Sequence, residues 1–433
     1  MKKHIILALL LLPMLTFSQM QHIISQGNTS TTKRQIHTNL LIDSSLIKIR
    51  NVDAENLIYS IPVDTNFSTI LNHTTLGTNT ISQTTLNGLK IYDFKTLEDY
   101  IYFCGSYNNT FGFIAWTKIN DLFSSFPSPI TIQLINNPIV TRFVSELEVY
   151  KLDEDIHVAA LASNQYLIHL NTATPATYQI MASQYNFRRL SVGYKKISTI
   201  ENINDSMMIV SVFDANDIQN YMYRIFSHPT VVYDEYLLEN SKDNANVFTL
   251  AYTHLKTTSN NVTYKTDFIT YDENIHIINQ QYLEDEHSKL DPVDLEYCIE
   301  DNKLLYLTTG RMGGDAIYTI EPFATQTYVS RAIQPTYQSI PPTKLHHSIT
   351  RYDDYYFATA GVDTTLNSLL LFDCKRNAST PTNCAMSYNV NVYNCNHINL
   401  PQILTGYNPY FGMQNTTIIQ PKYQKSKYVL ICN

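Results

Sequence analysis

Along the chain, short runs of strand-forming residues alternate with tight polar turns, and apolar spacing of helical period is almost absent. The stretch "EDYIYFCGSYNNTFGFIAW", residues 98–116, sets the pattern: an acidic turn, an apolar strand, a polar turn and a second apolar run. The pattern returns as "EDIHVAALASNQYLIHLN" from Glu154 and "NDSMMIVSVFDANDIQNYMYRIF" from Asn204. It returns again as "DNKLLYLTTGRMGGDAIYTI" from Asp301 and "DDYYFATAGVDTTLNSLLLFD" from Asp353, with a fainter copy, "NVFTLAYTHL", from Asn246. Anchored at Asp99, Asp155, Asp205, Asn246, Asn302 and Asp354, the copies stand 56, 50, 41, 56 and 52 residues apart. A strand such as "LEVYKL" or "SVGYKKIS" leads into each turn, and a further strand such as "TYQIMA" or "TYVSRAI" closes the unit.

Four short strands in about 50 residues is the period of a β-propeller blade. A pair of β-sandwiches would show similar strand spacing, but not one four-strand unit at a fixed period. The expectation is an all-β chain forming a seven-bladed propeller, with six to eight blades possible. No WD dipeptide occurs and Trp116 is the single tryptophan, which sets the repeat apart from the WD40 type. The final "KYVLICN" echoes "DYIYFCG", with Cys432 in the register of Cys104. It reads as the second strand of a last blade completed by N-terminal strands, "LLIDSSLIKIRNV" from Leu40 and "ENLIYSIPV" from Glu55. Such closure removes free sheet edges. Two segments depart from the pattern. Residues 64–88, rich in Thr, Asn and Ser, read as a connector, and residues 374–413 read as an insertion.

The N-terminus, "MKKHIILALLLLPMLTFSQ", has two lysines, an apolar core from Ile5 to Leu15 and a small-residue site before Gln19. That is the order of a secretory signal peptide, residues 1–18, and the core is too short for the ~20 residues of a membrane span. The remainder, 19–433, reads as one propeller domain that is secreted, periplasmic or at the cell surface. Losing the first eighteen residues leaves 28 basic against 38 acidic side chains. Such a balance, with no basic stripe, disfavours nucleic acid and anionic lipid, and no nucleic-acid partner is expected. Tyr (32) and Phe (18) outnumber Gly (12), as strand-rich chains require. The "TFSQ" ending, the Asn, Lys and Tyr bias and the "DYIYFCG" blades resemble uncharacterised exported β-propeller proteins of Bacteroidetes-type bacteria. The resemblance implies a fold and a compartment, and no functional residue.

Six cysteines in 433 residues do not make a disulfide scaffold, but export permits bridges. Cys374, Cys384 and Cys395 flank the insertion, and one disulfide is expected among them, Cys374 with Cys384 first. Cys104 and Cys432 read as buried thiols. The pair His346 and His347 would point to opposite strand faces and so would not share a metal. "DANDIQN" at Asp214 lacks the glycine and closing Glu of a calcium loop. Gly310 to Asp315, "GRMGGD", leads into a strand and therefore reads as a turn rather than a phosphate loop, with Arg311 at its tip. The acidic run with Glu284, Asp285, Glu286, Asp291, Asp294 and Glu296 reads as a solvated loop around Pro292. Tyr107, in a turn, is the better placed of the tyrosines to meet a ligand. No catalytic or metal residue is assigned and no cofactor is expected. The reading is a monomeric binding or scaffold module for a protein or glycan. Its rivals are a carbohydrate-active enzyme, glycosidase or lyase, with channel carboxylates, and an accessory subunit of a surface complex.

Overall fold

The computed structural model describes residues 31–37 and 46–432, apart from 54, 64–66, 76–79, 136–141, 176–177, 242–245, 258–261, 286–288, 299–300, 310–313, 336–345, 352–355, 364–367, 376–384, 395–402, 405–415 and 428. The strands form seven antiparallel four-stranded blades, each ordered from the centre outward. Blade 1 is Lys48–Asn51, Asn56–Val63, Ser68–Thr75 and Thr80–Leu86. Blade 2 is Leu89–Leu97, Tyr100–Tyr107, Phe111–Lys118 and Ile130–Leu134. Blade 3 is Val144–Leu152, Asp155–Ala162, Tyr166–Asn171 and Tyr178–Ala182. Blade 4 is Asn186–Val192, Lys196–Asn204, Met207–Asp214 and Tyr221–Ser227. Blade 5 is Val231–Asn240, Phe248–Thr257, Val262–Tyr271 and Ile277–Glu284. Blade 6 is Pro292–Cys298, Lys303–Thr309, Asp315–Ile320 and Tyr328–Pro335. Blade 7 takes His346–Arg351, Tyr356–Asp363 and Ser368–Lys375, and its fourth strand is the N-terminal Thr31–His37.

Each interface between neighbouring blades holds its own apolar cluster, so the core is a ring of wedges. Between blades 1 and 2 sit Ile58, Leu71, Phe103 and Phe113, and between blades 7 and 1 sit Ile49, Tyr59, Ala358 and Ala360. The inner strand of blade 1 packs on that of blade 7, which closes the circle. The acidic and Asn turns that anchor the repeat have a physical role. Asp153 and Asn302, between first and second strands, take left-handed φ of 56° and 53°, a conformation that short polar side chains tolerate best, and Glu98 takes 54° at the same point of its blade. Gly105, in "DYIYFCG", is required by close approach: a Cβ there would stand 1.9 Å from the Lys90 carbonyl oxygen.

The C-terminal chain forms a belt. Ala385–Asn394 pairs on one side with the outer strand of blade 5 and on the other with that of blade 6, fusing two blades into one sheet. Ile403–Leu404 then joins blade 4, Thr416–Ile419 blade 2, Lys422–Lys427 blade 1 and Val429–Cys432 blade 7. The chain thus travels back round the ring, covering outer edges that would otherwise template aggregation.

The belt corrects several expectations. The closing strand is Thr31–His37, and Val429–Cys432 lies outside it as a fifth strand rather than serving as a second strand. "TTKRQIH" has few apolar residues and is specified by its ladders to Ser368–Lys375 and Val429–Cys432, so hydrophobic pattern does not mark it. The strands from Lys48 and Asn56 begin blade 1, a copy anchored on the turn at Asp53, whose Oδ1 accepts the Glu55 and Asn56 amides at 2.8 Å each. Residues 64–88 are not a connector: Ser68–Thr75 and Thr80–Leu86 are the outer half of that blade, built of Thr and Ser rather than aliphatics. Asp205 marks the second hairpin of blade 4, not the first, which turns through Gly193 to Lys195. Within residues 374–413, the described part is strand at Cys374–Lys375, Ala385–Asn394 and Ile403–Leu404. Cys384 and Cys395 lie outside the described residues, as does the Cys374 side chain. Cys104 is buried as a free thiol. Residues 1–18 also lie outside.

Because Thr31–His37 pairs with both Ser368–Lys375 and Val429–Cys432, its removal strips blade 7 of two ladders. Deleting residues 31–37 should cause aggregation or loss of the cooperative melt, whereas deleting 429–433 should lower the melting temperature by a few degrees only. Equal effects of the two deletions would contradict this topology.

Candidate functional site

The inner strands of blades 2 to 7 share a register shift, between Ile91 and Asp93, Val144 and Glu146, Phe187 and Arg189, Val231 and Tyr236, Pro292 and Asp294, and His346 and Ser348. A bulge bends the strand and re-aims the residues after it. Here those residues line the central channel: Asp93 and Lys95, Glu146 and Glu148, Arg189, Glu239, Asp294 and Glu296, joined by Lys48 and Arg50 of blade 1.

The inner edge of each blade has no ladder partner, so its amides need acceptors from elsewhere. The channel residues supply them to the next blade. Asp93 Oδ2 accepts the Leu147 amide at 3.1 Å, Asp294 Oδ2 the Ile349 amide at 3.1 Å, Ser348 Oγ the Ile49 amide at 3.3 Å and Thr350 Oγ1 the Asn51 amide at 3.3 Å. Arg50 ties these acceptors together. Its Nη2 stands 3.4 Å from Asp93 Oδ1, and its Nη1 donates to Ser348 Oγ at 3.2 Å and lies 4.0 Å from Asp294 Oδ2. Ser348 in turn donates to Asp294 at 2.8 Å. One guanidinium from blade 1 therefore reaches blades 2, 6 and 7. Lys95 and Glu148 make a second pair at 2.6 Å.

The electrostatics follow from this crowding. Burial disfavours the Arg50 charge, but Asp93 and Asp294 outweigh it and raise the pKa above the ordinary value. Asp294 is likewise opposed by burial, yet Lys48, Arg50 and two hydrogen bonds hold it below the usual range. Glu146 and Glu296 have weaker support: burial pushes both up to about 7, with Arg189 and Arg50 respectively pulling the other way. Burial raises Glu148 and Glu239 as well. The void left among these side chains is about 30 Å³, room for one water and not for a sugar ring.

A larger cavity, about 460 Å³, opens at the outer part of the interface between blades 3 and 4. Tyr185, Phe213, Tyr221 and Tyr223 form its aromatic walls, with Met181 and Ile225 beside them. Phe213 stacks on Tyr221 with centroids 5.1 Å apart, and Tyr221 on Tyr223 at 6.3 Å. Glu201 is buried within it, its two oxygens accepting from Ser183 Oγ and, at 3.2 Å, from Ser211 Oγ. Burial raises its pKa, against the pull of the two serines. A cavity of this size is typical of small-molecule sites.

The structure separates the sequence candidates. Asp294 and Glu296 leave the solvated loop expected of them and face the channel, because Pro292 starts the inner strand rather than breaking it. Asp285 of the same run is buried and accepts from the Tyr318 hydroxyl at 3.2 Å, Glu284 ends a strand and pairs with Lys256 at 2.8 Å, and Glu286 lies outside the described residues. Arg311 and residues 310–313 lie outside as well, while Asp315 is buried in a strand. His346 and His347 start the inner strand of blade 7, their side chains undescribed. Asp214 caps its own turn and pairs with Lys196 at 3.1 Å. Tyr107 packs partly buried against the cluster of blades 1 and 2. The channel had a legible signal, charges two apart in otherwise apolar strands such as "IYDFKTL" and "SELEVYKL". Glu201 had a fainter one, a single acid inside "KISTIENIN".

Strand order and ring closure define the class: a seven-bladed β-propeller. No protein-family model and no curated protein sequence matches the chain. Among solved structures it is similar to the WD40 domain of Toxoplasma gondii coronin, with a TM-score of 0.47 and 9% identity over 81% of this chain and 89% of that one. It is similar also to the RRP9 WD40 repeats, TM-score 0.46 and 9% identity over 79% and 97%. Sqt1 of Saccharomyces cerevisiae gives 0.43 and 11% identity over 78% and 99%. The class rests on the strand order, and these superpositions assign no function.

Glu146 and Glu296 make stability depend on pH near neutrality. With folded values of about 7 against an ordinary 4.5, the native state holds protons that the unfolded chain releases between those limits. Their stabilising contribution is complete below about pH 4.5 and is lost as pH rises through 7. Thermal melts of Glu296→Gln should therefore fall less between pH 5 and pH 8 than those of the parent. An unchanged slope would contradict the assignment.

Proposed function

We propose that this propeller is an exported binding or scaffold module for an extracellular or surface partner, protein or glycan, and that it carries out no chemistry in its channel. The observation that supports this best is the filled channel. Asp93 and Asp294 are spent on neighbouring amides and on Arg50, Glu148 is paired with Lys95, and about 30 Å³ remains. A glycosidase needs two carboxyls flanking a sugar with space for the ring, and this channel lacks that space. A rigid ring with belted edges instead offers fixed loops for recognition.

The apolar N-terminus with its lysines supports export, to the periplasm, the medium or the cell surface. Among the described residues no helix is long and apolar enough to cross a membrane. The acidic balance, net −8 over the whole chain, disfavours nucleic acid and favours neutral or basic partners. A monomer suits a fold whose described outer edges are mostly covered by its own belt, and service as an accessory subunit of a surface complex is one form of this reading.

The purified protein, screened against polysaccharides, chromogenic glycosides and extracellular protein extracts, should show saturable binding without turnover. Turnover of any glycoside that is abolished by Glu148→Gln or Glu296→Gln would overturn the proposal.

A further inference from the structure

The cavity between blades 3 and 4 has no part in the channel reading, and its chemistry is specific. We propose that it is a binding site for an organic cation, a protonated or quaternary ammonium, seated on Glu201 between the aromatic walls of Tyr185, Tyr221 and Tyr223.

Glu201 lies on the second strand of blade 4, a face otherwise given to packing, and is 6% exposed. No cation pairs with it among the described residues; its partners are the hydroxyls of Ser183 and Ser211. Two seryl donors fix the carboxylate in place but leave its charge uncompensated and half of its acceptor positions free. A buried carboxylate of this kind is costly unless a positive charge comes to it. The space beside it, about 460 Å³, is walled by the ladder Phe213, Tyr221 and Tyr223 and by Tyr185 from the blade 3 to blade 4 linker. Aromatic faces carry negative potential and attract ammonium groups. Carboxylate and walls therefore favour the same sign of charge, and the acidic chain as a whole draws cations toward it.

A neutral saccharide fits less well. It would leave the carboxylate uncompensated, and most of its hydroxyls would meet ring faces rather than hydrogen-bonding groups. The ammonium could belong to a free small amine or to a lysine side chain of a partner protein; the recognition chemistry is shared, and the ligand series separates the two.

The test is calorimetric titration of the full chain with butylammonium and tetramethylammonium, with their neutral counterparts 1-butanol and neopentyl alcohol, and with a blocked pentapeptide carrying one central Lys. Binding of the cations at least tenfold tighter than of the neutral counterparts supports the proposal. A tighter peptide than butylammonium identifies a protein lysine as the source, and a weaker one a free amine. Equal binding of cation and alcohol, or no cation binding up to millimolar concentrations, overturns it. Glu201→Gln should weaken the cations tenfold or more, and an unchanged affinity overturns it. Tyr223→Leu, at a half-buried position where the substitution keeps the apolar packing, should weaken them several-fold, and unchanged affinity there would equally contradict the site.

Discussion

Every blade of a propeller ends at the centre in a strand with nothing to pair against, and the way this chain satisfies those inner amides organises the rest of it. The carboxylates and hydroxyls of Asp93, Asp294, Ser348 and Thr350 each accept a backbone proton from the blade that follows. A channel built of acceptors accumulates negative charge, and Arg50 is the counterweight. It reaches Asp93, Ser348 and Asp294 together, and so spans the seam where the first blade meets the last. The bulge recurring in six inner strands is the backbone device that aims these residues inward.

The same constraint separates structure from function in this molecule. Carboxylates in a propeller channel suggest hydrolysis, yet here Asp93 and Asp294 are bound to amides of the next blade, Glu148 is paired with Lys95, and the void among the side chains is about 30 Å³. On the proposed reading, recognition falls to the periphery. The outer edges are covered in turn by the belt, with blade 3's outer strand, Tyr178–Ala182, carrying no fifth strand among the described residues. The one large aromatic cavity described above opens beside that strand.

Much of the architecture was legible in the sequence, because a blade's second strand is buried on both faces and its turn needs a left-handed residue. "DYIYFCG" and its echoes carry both marks, and they place most of the repeats. Legibility fails where burial is slight. "TTKRQIH" is specified by its pairing on both sides, and "KYQKSK" is an edge strand whose lysines discourage further pairing, so hydrophobic pattern passes over both. The third and fourth strands of blade 1 read as linker for a different reason: they are well buried, but with Ser68, Thr69, Asn72, Thr74 and Thr84 in place of aliphatic side chains. In blade 4 the turn "GYKK" lacks an acid, and the next hairpin, with "NDS", takes its place in the alignment. The site was less legible than the fold. Alternate charges on inner strands mark a channel only once the strand is known to be innermost, and the partners of Glu201 come from the facing strand of its own hairpin and from a linker.

Arg50 clasps the seam by neutralising the buried acceptors Asp93 and Asp294. Equilibrium denaturation of Arg50→Met tests this role most directly, since the substitution keeps the stem and removes the charge. Leaving Asp93 and Asp294 buried without their guanidinium counter-charge should cost about 3–5 kcal/mol, and adding Asp93→Asn to the variant should return part of that loss. A variant as stable as the parent, or a double variant no better than the single, would contradict the claim.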